Sequence, residues 1–233
     1  MARAASADQA EPPRPLPFAT QSPAFIDFGS GRGESMGLAE GLFRNPGIGV
    51  DILPERVAEC QAAGWDVQQA DVLTFQERNL APVSLSVDLM PELDGLRAFE
   101  TACTNMLRAA RDFTMIQHLC FDSAEALLAR EEVVPGHTAR QVRIRPRAVD
   151  YLHFVMQAGR RLDVVGLAVF GVGEPRTVPL GVPGLSGMLI NPSAGVPAFR
   201  SIRIVIARKD ISRFHRAIKR VGTEHALMML ETP

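Results

Sequence analysis

The 233-residue sequence has little of what marks several protein classes. It contains three cysteines, and none belongs to a C-x-x-C pair, which argues against a disulfide scaffold, a structural zinc cluster or any other metal site. No apolar run approaches the roughly 20 residues of a membrane span, and the N-terminus lacks a signal-peptide pattern. The formal net charge is only -1, so the chain as a whole is not a polycation built for nucleic acid. These absences predict a soluble, cytoplasmic protein that works with neither a membrane nor a nucleic acid.

The chain divides into a short N-terminal arm and one larger domain. Prolines are frequent between Pro12 and Pro23, and they interrupt regular hydrogen bonding. Residues 1–23 are therefore predicted to be a flexible arm, and residues 24–233 to be a single domain.

Short apolar runs alternate with longer amphipathic segments in the larger domain. The predicted strands are Ala24–Phe28, Gly47–Asp51, Trp65–Ala70, Val83–Val87, Phe113–Leu119, Arg161–Phe170 and Ser201–Ala207. The predicted helices are Glu34–Arg44, Pro54–Ala63, Asp94–Ala110, Pro146–Gly159 and a basic helix at the end of the chain, with a glycine- and proline-rich loop over Gly171–Pro197. This alternation predicts a doubly wound, mainly parallel α/β sheet, in which ligands bind at the carboxyl ends of the strands.

The most informative segment is Asp27–Gly33, which reads Asp-Phe-Gly-Ser-Gly-Arg-Gly and follows the first strand. Three closely spaced glycines let the backbone of a turn approach a ligand. The strict dinucleotide pattern G-x-G-x-x-G fails, because Glu34 stands where its third glycine is expected. A carboxylate at Asp27 would repel a pyrophosphate, but it suits the ammonium group of a ligand without phosphate. The alternative is that Asp27 only caps the turn.

Two further aspartates follow the second and third predicted strands. Asp51 comes 22 positions after Gly29, where its side chain can accept hydrogen bonds from ribose hydroxyls, and Ile52 offers an apolar face for adenine. Asp71 can accept a hydrogen bond from the exocyclic amine of adenine, and the Val72 N–H can meet the ring. Either aspartate alone could instead cap a helix or a loop. Three acids after three successive strands favour a single nucleoside site.

The segments Asp27–Gly33, Gly49–Asp51 and Ala70–Val72 resemble those of class I S-adenosylmethionine-dependent methyltransferases, over about residues 24–210. The resemblance implies a Rossmann-like, seven-stranded sheet in which Ser201–Ala207 runs antiparallel between the fifth and sixth strands. It also implies that the cofactor is S-adenosyl-L-methionine. The residues that would contact this cofactor, by the same resemblance, are Asp27, Gly29, Ser30, Gly31, Asp51 and Asp71.

Residues for the acceptor would follow the fourth and fifth strands. Where many members of the family carry a Glu-His pair or an Asn-Pro-Pro-Tyr motif, this chain has Val87–Leu93, which argues against methylation of a base or a glutamine amide. The candidates for a general base are Glu92, His118, Asp122 and His137. His118 could instead be a hydrogen-bonded strand histidine, and His137 a solvated loop residue. The predicted activity is methyl transfer to a small-molecule acceptor, for example O-methylation of a glycan or a metabolite, with a homodimer as one possible assembly.

Two other functions stay open from the sequence. A nicotinamide-dependent oxidoreductase is disfavoured by Asp27, by the missing third glycine and by the absence of a Tyr-x-x-x-Lys pair. A non-catalytic, methyltransferase-like binding module is favoured by the lack of a recognisable motif after the fourth strand. Arg143, Arg145 and Arg147 would project to one side of an extended segment, where they could hold an anionic acceptor or form a solvated basic edge.

Overall fold

The computed structural model describes residues 23–121, 143–173, 176–179, 195–199, 201–222 and 225–232. The strands within these ranges are β1 (Phe25–Phe28), β2 (Ile48–Asp51), β3 (Val67–Gln69), β4 (Ala81–Val87), β5 (Ala110–Leu119), β6 (Val164–Val172), β7 (Arg176–Pro179), β8 (Gly195–Ala198), β9 (Ser201–Arg208) and β10 (Ala226–Glu231). The α-helices are α1 (Glu34–Phe43), α2 (Pro54–Ala62), α3 (Gly95–Ala109), α4 (Ala148–Ala158) and α5 (Ile211–Val221). Short 3-10 turns cover Met90–Glu92 and Arg160–Leu162.

The main sheet has eight strands in the order β10-β6-β9-β5-β4-β1-β2-β3. The strands β1 to β5 run parallel to one another, and β9 lies antiparallel between β5 and β6. The predicted doubly wound α/β fold and the reversed position of the β9 segment are therefore confirmed.

The sheet has one more strand than the sequence predicted. The helix α5 is not the last element, because β10 follows it and pairs antiparallel with β6 at the edge of the sheet. The β10 segment is rich in alanine, leucine and methionine, which are good helix formers, so pairing with β6 decides its conformation. Inside the predicted loop Gly171–Pro197, β6 continues to Val172, and β7 and β8 form a separate antiparallel pair.

Helices cover both faces of the sheet. Met36 of α1, Val57 of α2 and Phe214 of α5 belong to one buried cluster, whereas Phe99 of α3 and Tyr151 of α4 belong to the cluster on the other face. Because the central strands are buried on both faces, they are largely apolar, and the buried hydroxyls of Ser84 in β4 and Thr114 in β5 are hydrogen-bonded to each other at 2.8 Å.

Some sequence predictions concern residues outside the described ranges. These are residues 1–22 of the N-terminal arm, residues 174–175 and 180–194 of the predicted loop, Asp122 and His137. In the part of the chain that the structure describes, no helix combines the length and apolar character needed to cross a membrane. The three cysteines are buried and unbridged.

Candidate functional site

A cavity of about 550 Å³ opens at the carboxyl ends of β1, β2, β3 and β4. Its wall consists of the glycine turn after β1, the segments that follow β2 and β3, the segment after β4, and Arg143. The predicted site residues that line it are Gly29, Ser30, Gly31, Asp51, Ile52, Asp71, Val72 and Glu92. The fold therefore brings predicted residues from four separated parts of the sequence to one cavity.

The turn after β1 needs its glycines. Gly29, Gly31 and Gly33 have φ angles of 72°, 56° and 91°, in the left-handed region that a side chain disfavours. A Cβ at Gly33 would also lie 2.5 Å from Nε1 of Trp65. The Gly29 N–H donates to the Val50 carbonyl at 2.8 Å, so the turn is held against the end of β2.

Behind this turn lies the carboxyl group of Asp27, which is fully buried. Its Oδ2 accepts a hydrogen bond from Ser35 Oγ at 2.5 Å, and its Oδ1 has no hydrogen-bond partner among the described residues. Burial raises the pKa of Asp27 to about 7; the Ser35 hydrogen bond opposes this shift and the charge of Asp51 adds to it. Ser35 lines the cavity and Asp27 does not. The structure thus places Asp27 behind the wall of the cavity.

Ser30, in the middle of the turn, carries an unused polar atom. Its Oγ is buried and has no hydrogen-bond partner in the described part of the chain, although the residue lines the cavity. A Cβ at Gly49 of β2 would lie 2.9 Å from this Oγ, so the hydroxyl packs closely against the neighbouring strand. A buried hydroxyl without a partner costs about 1–3 kcal/mol of stability.

Asp51 joins the glycine turn to the end of β2. Its Oδ2 accepts from the Gly31 N–H at 3.0 Å and its Oδ1 from the Leu53 N–H at 3.0 Å, while Arg56 Nη1 lies 4.0 Å from Oδ2. A carboxylate offers about four acceptor positions, so this side chain can still accept hydrogen bonds from a ligand in the cavity. Beside it, Ile52 exposes 56% of its surface.

The loop after β3 is fixed by a residue that the sequence analysis missed. Asp71 Oδ1 accepts from the Leu73 N–H at 2.8 Å, which forms a tight turn. The buried Asn105 of α3 donates through Nδ2 to the carbonyls of Val72 at 2.8 Å and Leu73 at 3.0 Å. The sequence did offer a signal for Asn105, because this residue stands within the apolar stripe of a helix. A side-chain amide buried there requires hydrogen-bond partners.

The segment after β4 supplies the other end of the cavity. Glu92 lines the cavity from the 3-10 turn. The Pro91 carbonyl of the same turn accepts from the Arg143 N–H at 2.8 Å, which brings Arg143 to the cavity wall. Arg145 and Arg147 do not line the cavity, so the predicted row of three arginines is not assembled there.

His118 is placed in the core instead of at the cavity. Its Nδ1 lies 2.7 Å from the Leu119 carbonyl, which can only accept, so Nδ1 carries the proton and Nε2 accepts from the Tyr151 hydroxyl at 2.8 Å. The ring stacks with those of Tyr151 and Phe121, whose centroids are 5.8 and 5.7 Å away. Burial lowers the pKa of His118 to about 4, against the opposing effect of the Leu119 hydrogen bond. Both ring nitrogens are hydrogen-bonded to other residues. His118 is therefore the hydrogen-bonded strand histidine that the sequence analysis gave as the alternative to a general base.

Several solved structures similar to this chain are described as methyltransferases. A SAM-dependent methyltransferase from Archaeoglobus fulgidus aligns at 14% identity over 79% of this chain and 85% of its own, with a TM-score of 0.57. A SAM-dependent methyltransferase from Thermotoga maritima, described as a possible histamine N-methyltransferase, aligns at 13% identity over 81% and 83%, with a TM-score of 0.51. Magnesium protoporphyrin IX methyltransferase from Synechocystis, with bound S-adenosylhomocysteine, aligns at 12% identity over 81% and 75%, with a TM-score of 0.50.

The chain therefore has the Rossmann-like fold of the class I S-adenosylmethionine-dependent methyltransferases. Neither the known protein-family models nor the curated proteins give a match to this sequence. At these identities the likeness establishes the architecture, and the function has to be argued from the cavity itself.

Proposed function

We propose that this protein is an S-adenosylmethionine-dependent methyltransferase that acts on a small molecule. The observation that carries the proposal is that one cavity is lined jointly by the glycine turn, Asp51 and Asp71. Such a cavity offers backbone and carboxylate groups to a nucleoside. The carboxylates of Asp51 and Asp71 would repel a phosphate group.

The residues of the cavity fit this cofactor. Asp51 keeps acceptor positions for the two ribose hydroxyls. The exposed Ile52 side chain provides an apolar surface for the adenine, and Asp71 lies where it can accept from the exocyclic amine. When bound, the cofactor supplies a methyl group activated by its attachment to a positively charged sulfur.

Asp27 contributes charge from behind the turn. Because this carboxyl group is fully buried, water screens it poorly, and its ionised form favours a positive ligand in the adjacent cavity. A pyrophosphate at the same turn would face Asp51 and Asp71, with the buried Asp27 behind the turn. This charge arrangement supports a sulfonium cofactor over a nicotinamide dinucleotide.

The acceptor would bind at the end of the cavity formed after β4. Glu92 is the described general-base candidate that lines the cavity, so we assign it the removal of a proton from a hydroxyl acceptor. His118 is not assigned this role, since both of its nitrogens are hydrogen-bonded within the core. Orientation of the acceptor and exclusion of water would supply much of the remaining acceleration.

The cofactor is tested by thermal unfolding in the presence of S-adenosylmethionine, S-adenosylhomocysteine or NADH. Both sulfur ligands should raise the midpoint, because a ligand at 100 times its dissociation constant adds about 2.7 kcal/mol of stability. Asp51→Ala should weaken their binding by about 2–4 kcal/mol, since it removes charge-assisted hydrogen bonds. Asp66→Ala, at an exposed aspartate outside the cavity, is the matched control and should bind like the wild type. A midpoint that rises with NADH alone would overturn the proposal.

The acceptor end is tested by screening hydroxyl and amine compounds for formation of S-adenosylhomocysteine. With an acceptor found in this way, Glu92→Gln should lower the transfer rate by about 10²–10⁴-fold at unchanged cofactor affinity. An equal rate in Glu92→Gln and the wild type would remove Glu92 from the mechanism and leave the cofactor assignment intact.

A further inference from the structure

Three arginines line the cavity, and the charge of one of them is not used by the described part of the chain. Arg32 Nε lies 3.3 Å from Glu59 Oε2. Arg56 Nη1 lies 4.0 Å from Asp51 Oδ2. The guanidinium of Arg143 has neither an ion pair nor a hydrogen bond with any described residue, and only the backbone N–H of Arg143 donates. The acceptor end of the cavity therefore offers a cation to a ligand.

The backbone fixes Arg143 at this place. The N–H groups of Arg143 and Ile144 both donate to the Pro91 carbonyl, at 2.8 and 3.2 Å. The Ile144 side chain packs against the hydrophobic core. Farther along, the Arg147 N–H donates to Asp150 Oδ2 at 2.7 Å, where α4 begins. The segment 143–147 is therefore held at both ends, with its first residue beside the 3-10 turn that follows β4.

Burial alternates along this segment. Ile144 is partly buried and Pro146 is buried, whereas the exposed residues are Arg143, Arg145 and Arg147. Such alternation is typical of extended backbone, in which successive side chains point to opposite sides. Arg145 shares the segment, the exposure and the charge of Arg143 but does not line the cavity. It is therefore a matched control for Arg143.

The neighbouring wall limits the kind of ligand that Arg143 can bind. Leu89 and Leu93 line this end of the cavity, so part of its surface is apolar. A guanidinium presents a planar fork of N–H donors that fits a carboxylate in a bidentate pair. A phosphate would bring about two negative charges to a wall that includes Glu92 and Asp94, whereas a carboxylate brings one. An ammonium group at Arg143 would meet a like charge.

We propose that the acceptor is a small hydroxy acid whose carboxylate binds the guanidinium of Arg143. This inference rests on the proposed function, because it concerns the acceptor of the same cavity. The carboxylate accepts from two N–H groups of Arg143, and the apolar body lies against Leu89 and Leu93. The hydroxyl is directed towards Glu92, the assigned base. Arg143 thus selects acids over neutral or amine acceptors of the same shape.

The experiment compares three ligands that share one phenol body: para-hydroxyphenylacetate, its neutral amide and the amine tyramine. Each is titrated by calorimetry into the full chain saturated with S-adenosylhomocysteine. The acid should bind about 10- to 100-fold more tightly than the amide or the amine, because only the acid makes the charge-assisted pair. Thermal unfolding with S-adenosylhomocysteine alone checks cofactor binding separately, so a failure of this inference is distinguished from a failure of the proposed function.

Three variants assign the preference to one side chain. Arg143→Gln should weaken binding of the acid by about 10- to 100-fold and leave binding of the amide unchanged. Arg143→Lys keeps the charge and loses the bidentate fork, so its affinity for the acid should lie between those of Arg143→Gln and the wild type. Arg145→Gln should bind all three ligands like the wild type.

Four results would overturn the proposal. A wild type that binds the amide or tyramine as tightly as the acid does so, and so does a wild type that binds none of the three. Equal affinity of Arg143→Gln and Arg145→Gln for the acid is the third. The fourth is a loss of affinity for S-adenosylhomocysteine in Arg143→Gln without a loss for methylthioadenosine, which lacks the amino-acid part. In that case the guanidinium binds the carboxylate of the cofactor.

Discussion

Two polar sites at the carboxyl ends of strands look alike in the sequence and differ in the structure. Asp27 of β1 and His118 of β5 are both buried and both have pKa values moved by burial. Around Asp27 the hydrogen bonding is incomplete, because its Oδ1 and the Ser30 hydroxyl have no partner within the described ranges. Around His118 it is complete, since Leu119 and Tyr151 occupy both ring nitrogens.

The difference separates a strained turn beside the cavity from a pair of residues that holds the fold together. The unpartnered Asp27 Oδ1 and Ser30 Oγ are buried, and together with the left-handed glycines they lower the stability of the turn. A fully satisfied pair instead ties α4 to the end of β5. Burial and a shifted pKa alone do not distinguish the two cases.

The largest expected effect is an opposite dependence of stability on pH. Asp27 releases its proton near 3.8 when unfolded and near 7 when folded, so its contribution to stability is lost as the pH rises between these values, by about 4 kcal/mol. His118 changes from 6.5 to about 4, so its contribution is present above 6.5 and is lost as the pH falls towards 4, by about 3 kcal/mol. Urea unfolding of Asp27→Asn, His118→Gln and wild type between these limits measures both slopes.

Relative to wild type, Asp27→Asn should gain stability steadily as the pH rises to about 7 and then level off. The His118→Gln variant should not show the decrease in the free energy of unfolding that the wild type shows as the pH falls from 6.5 towards 4. Parallel curves for all three proteins would mean that neither group has the altered pKa on which the comparison depends.

A smaller effect is expected from Tyr151→Phe. This change leaves Nε2 of His118 buried without a partner, so the free energy of unfolding should fall by about 1–3 kcal/mol. Binding of S-adenosylmethionine should be unchanged, since neither residue lines the cavity.

A double-mutant cycle supplies the control for Tyr151→Phe. With His118→Leu, the added loss from Tyr151→Phe should be much smaller, because no unpaired nitrogen remains. A clear loss of cofactor affinity in Tyr151→Phe would show that the His118 pair belongs to the functional site.

The smallest effect compares two glycines of one turn. Gly31→Ala and Gly33→Ala both place a side chain at positive φ, which costs about 1–2 kcal/mol. Only at Gly33 would the new Cβ also meet Trp65, whereas nothing lies closer than 3.9 Å at Gly31. Gly33→Ala should therefore lower the thermal midpoint further, by an extra 1 kcal/mol or so of unfolding free energy. Equal midpoints would indicate that Trp65 moves aside without cost.

Local signals predicted most of the central architecture. The glycine turn and the acids at Asp51 and Asp71 were visible because turn chemistry and strand ends depend on near neighbours in the chain. The strand β10 was missed because its leucine and methionine residues favour a helix until β6 is available for pairing. Asn105 was missed because its partners, the Val72 and Leu73 carbonyls, lie more than thirty residues away.

The amino-acid order by itself determined the alternation of strands and helices and the glycine turn, since these follow from periodicity and from backbone conformations that only certain residues adopt, whereas the reversed strand β9 was implied by the family resemblance. Only the tertiary structure decided which polar side chains face the cavity. Glu92 and Arg143 reach it, whereas His118 turns to Tyr151 and Asp27 lies behind the turn. Whether a polar group is available to a ligand depends on which donors and acceptors distant segments bring to it, and this information is absent from local sequence.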